Sequence, residues 1–190
     1  MGDEQTSSPR NAVFTTALWD GGFCLADWNL HLERLRAHAK LLRIELPDDF
    51  SLRIATFFQK VAQEGLYQHS QKPTFLLRVE CSNLGELSFD IRKLELRNEE
   101  IDAITRPAPR WSMKINGTKH GDWQPYLDAH AVAKKQGADL AFHVHDFAIV
   151  DADRAAPIVL DEDGVAWVAA PSEGGVTSIT LQTLLSGIES

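Results

Sequence analysis

The sequence predicts an α+β chain in two parts, and three observations predict it. Residues 13 to 96 run as strand, helix, helix, strand, strand, and the last two strands are joined by a tight turn. A charged segment from Arg97 to Arg110 follows, with two prolines and no sustained apolar period. Beyond it, one amphipathic helix leads into several short strand-like segments separated by turns and closed by a final helix. Two helices set between strands suit a small sandwich, with the helices on one face of an antiparallel sheet. The expected domains are therefore a flexible lead-in over 1–11, a small α+β domain over 12–97 and a linker over 98–110. A larger domain of strands with helices follows over 111–190 and suggests half of a barrel-like domain.

Each element has a local reason. Val13 to Trp19 is a short run of β-branched and aromatic residues ended by Asp20-Gly21-Gly22, the composition of a strand and its turn. Asp27 is placed to cap a helix over about Trp28 to Arg43, in which Leu30, Leu35, Leu41 and Leu42 with Ala37 and Ala39 form an apolar stripe. Pro47 stops it. A second helix begins near Asp48 or Asp49, carries Leu52, Ile54, Phe57, Phe58 and Val61, and ends at Gly65. Phe75 to Cys81 and Leu87 to Leu96 read as strands joined at Asn83-Leu84-Gly85. In the second part, a helix runs from Asp122 to Gly137. Strands are expected at Leu140 to His145, Phe147 to Val150, Pro157 to Leu160 and Val165 to Ala170, with a turn at Asp161 to Gly164. Thr177-Ser178 caps a last helix through Leu185.

Composition narrows the function classes. The 190 residues are 44% hydrophobic and 24% charged, an ordinary globular balance with enough chain for a real core. A net charge of -8 without clustered Lys and Arg argues against a nucleic-acid surface. No apolar run approaches a membrane span, and the polar, acidic N-terminus is unlike a signal peptide. Two distant cysteines, Cys24 and Cys81, suggest neither a disulfide framework nor a zinc site, so a reducing cytoplasm is the expected home.

The stretch Asn116 to Asp139 carries the strongest chemical signal. An Asn-Gly turn presents Lys119 and His120 directly before a helix, a placement suited to amine chemistry. Lys114 is a rival, but it lacks the following histidine and reads as part of a strand. Arg34 is either the polar edge of its helix or an anion ligand. Asp151 is either a turn residue beside Asp153 and Arg154 or a functional carboxylate. His143 and His145 share a strand face as a metal pair would, with His120 or His130 as recruits. No second motif has ligand spacing, and no metal is expected. Trp19 and Trp123 flank these segments, and core packing is their commoner use.

Four ordered segments resemble the fold-type IV pyridoxal-phosphate enzymes, the group of branched-chain and D-amino-acid aminotransferases and aminodeoxychorismate lyase. They are Phe14-Thr15-Thr16-Ala17 with its glycine turn, His31-Leu32-Glu33-Arg34-Leu35, Lys119-His120 with the helix ending in Gly137-Ala138-Asp139, and Gly174-Gly175-Val176 followed by Ser178-Ile179-Thr180. The resemblance implies pyridoxal 5'-phosphate as cofactor, a small amino substrate and a homodimer. It implies that Lys119 forms the Schiff base and shuttles a proton, and that Arg34 grips the phosphate. Ser178, Ile179 and Thr180 would meet the same phosphate at a helix start, and Asp151 would face the pyridine nitrogen. The F-T-T-A and K-H wording is nearer the lyase, which releases 4-aminobenzoate and pyruvate, than the aminotransferases. The departures are an aspartate at 151 for the family's glutamate, Ala156 for asparagine, Ser178 for glycine and Leu181 for arginine. With the family's opening strand and final stretch also missing, an inactive or truncated relative stays open as a further reading.

Overall fold

A computed structural model describes residues 8–23, 25–65, 67, 75–94 and 96–188, the last four by backbone alone. The lead-in over 1–7 and Cys24 lie outside the described residues. Two compact units result, residues 1–97 with 119–121 and residues 98–118 with 122–190.

In the first unit, β1 (Ala12–Trp19), β2 (Phe75–Ser82) and β3 (Leu87–Lys93) form an antiparallel sheet in the order β1-β2-β3. The expected strand to Leu96 thus ends at Lys93. Register puts Val13 opposite Cys81, Thr15 opposite Val79 and Ala17 opposite Leu77, and all six are buried. This is the face the helices cover, as the alternation of the strands requires. On the other face Arg78 lies 3.6 Å over the Phe14 ring and pairs with Glu80.

Helix α1 (Trp28–Leu42) packs on β1. Its Asp27 makes no capping bond; it takes a left-handed conformation (φ 50°) at the end of the turn. The buried face also differs from the expected leucine stripe. Leu35, Ala39 and Leu42 are buried but Leu41 is exposed, and His31, Arg34 and His38 complete the inner face. Helix α2 (Phe50–Glu64) buries Phe50, Ile54, Phe58 and Val61, one residue per turn, while Leu52 faces solvent. Phe57 stacks on Phe89 at 4.0 Å, and Phe58, Tyr67 and Phe75 surround the fully buried Trp19. Trp19 is therefore a core residue, contributing roughly 2–3 kcal/mol through burial.

The tripeptide Lys119–Gly121 belongs to this unit, on the outer edge of β1. Phe14 N donates to Lys119 O (3.3 Å), Val13 bridges His120, and Gly121 N donates to Pro9 O (3.3 Å). The approach is close enough to require glycine, because a Cβ on Gly121 would lie 2.7 Å from Ala12 N.

In the second unit, β4 (Ala103–Pro107), β5 (Leu140–His145) and β6 (Ala148–Ala152) form a sheet in that order, β4 parallel to β5 and β5 antiparallel to β6. Strand β4 lies within the segment expected to be linker; its mostly exposed residues carry no alternation for the sequence to display. Helix α3 (Gln124–Lys135) connects β4 to β5, as a parallel pair requires. It starts two residues later than expected and packs Ala129 and Ala133 on Ala138, Ala141 and Ile104. Small side chains let helix and sheet approach closely.

Strand β6 begins after Phe147 and extends through Asp151, so Asp151 is a strand residue opposite His143 rather than a turn residue. Lys114 lies in the turn over 113–117, not in a strand. The later strands are shorter than expected: β7 (Val159–Leu160) and β8 (Ala166–Trp167) make a two-stranded sheet around the Asp161–Gly164 turn. Helix α4 (Ile179–Ile188) follows a 3-10 turn at Pro171–Glu173. Among the described residues these strands form two small open sheets and do not close a barrel.

Candidate functional site

Three polar residues at spacings of three and four put one polar stripe on the inner face of α1. His31, Arg34 and His38 are all buried there, between 5% and 7% exposed. Burying a guanidinium is costly unless its hydrogen bonds are supplied. Arg34 Nη2 donates to Thr15 Oγ1 at 2.7 Å, and Thr15 Oγ1 lies 2.7 Å from His31 Nδ1. Arg34 has only donors, so Thr15 Oγ1 accepts from it and keeps its own proton for His31 Nδ1. Arg34 Nη2 also lies 3.4 Å from His31 Nδ1, where a second donor would be opposed, so Nδ1 is an acceptor and the ring neutral. Burial, with the charges of Arg34 and Lys119 beside it, lowers its pKa to about 4. Burial alone lowers Arg34 to about 10, leaving it a cation at neutral pH.

Lys119 is half-buried at the β1 edge, its Nζ 5.1 Å from the centre of the Phe14 ring. Its main-chain N–H donates to His38 Nδ1 at 3.1 Å. His38 is likewise neutral: burial first, then Arg34, Lys119 and His120, lower its pKa to about 3. The positive charge around this end of the first unit therefore resides on groups such as Arg34 and Lys119, not on His31 or His38.

In the second unit, Asp151 is 6% exposed and engaged at both oxygens. Tyr126 Oη donates to Oδ2 at 3.0 Å and Ala152 N donates to Oδ1 at 2.9 Å. Burial and the Asp151 carboxylate push the Tyr126 hydroxyl well above its ordinary pKa, so it stays a donor. Trp123 stacks on Tyr126 at 4.0 Å, and His143 meets the same ring edge-on at 4.6 Å. Asp153 is held next to this group by His130 Nδ1 and by Ala141 N.

The glycine turn before α4 packs against the Asn116-Gly117 turn. Gly117 has φ +77°, and a Cβ there would sit 2.9 Å from Gly175 O. At the helix start, Ser178 Oγ accepts from Leu181 N (3.3 Å) and Ser178 O accepts from Gln182 N (3.1 Å), so Ser178 is the cap. Ile179 is buried and Thr180 exposed, and their amides belong to the first turn, where the dipole favours an anion.

Arg34 and Lys119 thus share the first unit, and Asp151, Ser178, Ile179 and Thr180 share the second. Ala156 is half-buried beyond β6, and Leu181 is half-buried on α4. Sequence reasoning passed over Thr15, His38 and Tyr126 as site residues. The one available signal was the His31, Arg34, His38 spacing, which places three polar groups on one helix face. By chemistry each unit carries groups that suit pyridoxal phosphate: in the first, a buried guanidinium for an anion and a half-buried amine for an aldehyde; in the second, first-turn amides for an anion and a buried carboxylate for a protonated ring nitrogen. No group of three His, Cys, Asp or Glu side chains among the described residues could hold a metal ion. No helix among them is long and apolar enough to cross a membrane.

Residues 12–190 match the family model for amino-transferase class IV. The fold is similar to that of a provisionally assigned 4-amino-4-deoxychorismate lyase at 25% identity and a TM-score of 0.72, over 94% of this chain and 70% of that one. It is also similar to the branched-chain aminotransferase of the thermophilic archaeon Thermoproteus uzoniensis solved with norvaline, at 16% identity and a TM-score of 0.75, over 98% and 70% of the two chains. A hypothetical aminotransferase from Mycobacterium tuberculosis in its PLP-bound form matches at 18% identity and a TM-score of 0.71, over 93% and 67%. No curated protein matches the chain at significant similarity.

Proposed function

This chain belongs to the class IV aminotransferases, and we propose that it is a pyridoxal-phosphate enzyme of the aminodeoxychorismate-lyase type, releasing 4-aminobenzoate and pyruvate. The observation that carries the reading is the grouping of Lys119 with Arg34 in one unit, the lysine amide on His38 and the guanidinium on Thr15. A 25% identical solved structure assigned to that lyase supports the choice of reaction.

When bound, the cofactor supplies an electron-accepting ring that stabilises negative charge on a substrate carbon. Lys119 would hold it through Nζ, and the same amine would take up and return a proton. Arg34 would bind its phosphate through the guanidinium while Thr15 holds Nη2 in place. Neutral His31 and His38 add no competing charge there. The amides of Ile179 and Thr180, with the Ser178 cap, are the second unit's groups suited to a phosphate. Asp151, steadied by Tyr126 and Ala152, would keep a ring nitrogen protonated.

The test is pyridoxal phosphate added to the purified protein. The expected result is a near-violet absorbance band, with a pyridoxyl group found on Lys119 by peptide mass spectrometry after borohydride reduction; Lys119→Ala abolishes both. A wild-type protein that gives neither, or a band indifferent to Lys119→Ala, sinks the assignment and favours an inactive relative. Amino transfer to a 2-oxo acid is the second reading, favoured by the likeness to two structures named as aminotransferases. Pyruvate release from aminodeoxychorismate without transfer from glutamate or alanine decides for the lyase, and the reverse for the transaminase. The reading includes a homodimer, which sedimentation equilibrium checks.

A further inference from the structure

We propose that His38 is the positioning residue for Lys119: its Nδ1 accepts the Lys119 main-chain N–H and so sets where the lysine side chain leaves the edge of β1. The inference rests on the reading of Lys119 as the cofactor-binding amine.

The geometry is specific. His38 stands in the third turn of α1, 5% exposed, with Nδ1 3.1 Å from Lys119 N. The neighbouring restraints on the tripeptide are main chain to main chain: Phe14 N to Lys119 O, and Gly121 N to Pro9 O. Those contacts can be made by any sequence that tolerates the approach. The contact from His38 depends on the side chain, and it joins α1, which carries Arg34, to the residue that carries the amine. One helix therefore governs both the guanidinium and the lysine.

The chemistry of this side chain also fits the task. An amide N–H turned away from water needs an acceptor. An aliphatic residue at 38 would fill the space and offer none. A carboxylate would accept the bond but add a negative charge beside Arg34 and Lys119, competing with any anionic ligand for both cations. A neutral imidazole accepts and leaves the cations available. Burial and the surrounding positive charges, those of Arg34, Lys119 and His120, keep it neutral at physiological pH. The neutral ring then carries its proton on Nε2, leaving Nδ1 as the acceptor.

Two substitutions separate acceptor from filler. His38→Ala removes the acceptor, and His38→Asn restores a neutral one, its amide oxygen standing in for Nδ1. Amide hydrogen exchange at Lys119, followed by NMR on the full chain without cofactor, reads the contact directly. We expect about tenfold faster exchange in His38→Ala and near wild-type protection in His38→Asn. Pyridoxal-phosphate titration, followed by the near-violet absorbance and by borohydride trapping on Lys119, reads the consequence. Affinity and trapping rate should fall about tenfold or more in His38→Ala and recover in His38→Asn. Unchanged exchange at Lys119 in His38→Ala overturns the proposal, as does equal impairment by both variants, which would mean that ring volume matters and the acceptor does not. A wild-type chain that fails to trap cofactor overturns the cofactor reading instead, and the exchange arm then still decides whether His38 fixes Lys119.

Discussion

The Tyr126 hydroxyl donates to Asp151 Oδ2 at 3.0 Å with both residues buried. A phenol so placed stabilises the ionised carboxylate and is held as a donor by it. Replacing it by Tyr126→Phe keeps the ring stacked on Trp123 but leaves one carboxylate oxygen short of a partner. Stability should fall by about 1–3 kcal/mol. Urea unfolding should show a lower midpoint at an unchanged slope, because the surface exposed on unfolding is the same.

Thr15 joins Arg34 to His31 through one hydroxyl. Thr15→Val preserves shape and removes both bonds, at an expected cost of about 1–3 kcal/mol, since the guanidinium left behind is buried. Thr15→Ser should recover most of it. Under the functional reading, the same Val variant weakens pyridoxal-phosphate binding more than it changes the melting temperature of the cofactor-free protein, and parallel titrations and thermal scans compare the two.

Acid sensitivity follows from buried histidines, of which His31 and His38 are shifted furthest and His143 is lowered as well. Their folded pKa values, about 4 for His31 and about 3 for His38, lie below the unfolded value near 6.5. The unfolded chain therefore binds more protons than the folded one below about pH 6.5. Stability is lost as pH falls from there, until each folded pKa is reached. The slope approaches about 1.4 kcal/mol per pH unit for each histidine. Urea midpoints between pH 7 and 5 should show this decline, and His38→Asn should reduce the slope by one histidine's share. An identical slope in that variant would exclude His38 as a source.

Gly121 lies against the main chain of β1. A Cβ there would meet Ala12 N at 2.7 Å and Ser8 O at 3.1 Å, atoms with little room to move. Gly121→Ala should destabilise by about 1–3 kcal/mol through overpacking. Exchange at the Lys119 and His120 amides should accelerate first, because the lost approach frees the tripeptide from the strand edge. Gly137→Ala, where a Cβ meets nothing within 4 Å although φ is +80°, is the comparison for backbone strain without a clash.

The α+β class, the order of the first unit and the ends of α1 and α2 were legible in the sequence, because they follow from apolar period and from turn residues. Strand β4 was not, since an exposed strand whose neighbours supply its pairing needs no alternation of its own. Asp27 does stand at the N-cap position, but its side chain makes no capping bond, because aspartate suits both a cap and a left-handed turn and only the path of the chain chooses between them. A turn stayed open beside the carboxylate role for Asp151 for a similar reason: three acidic or basic residues close together look like a loop until β5 pairs with the first of them.

By itself the sequence determined which local elements form and singled out Lys119, Arg34 and Asp151 by their setting in ordered motifs. The tertiary structure decided what those residues touch. His38 and Lys119 are 81 positions apart, and Thr15 and His31 are 16 apart. Nothing in the apolar period of α1 distinguishes a polar stripe facing solvent from one facing a partner. A buried histidine or guanidinium is stable only when another segment supplies its hydrogen bond, and that supply is a property of the packed chain, not of any stretch of it.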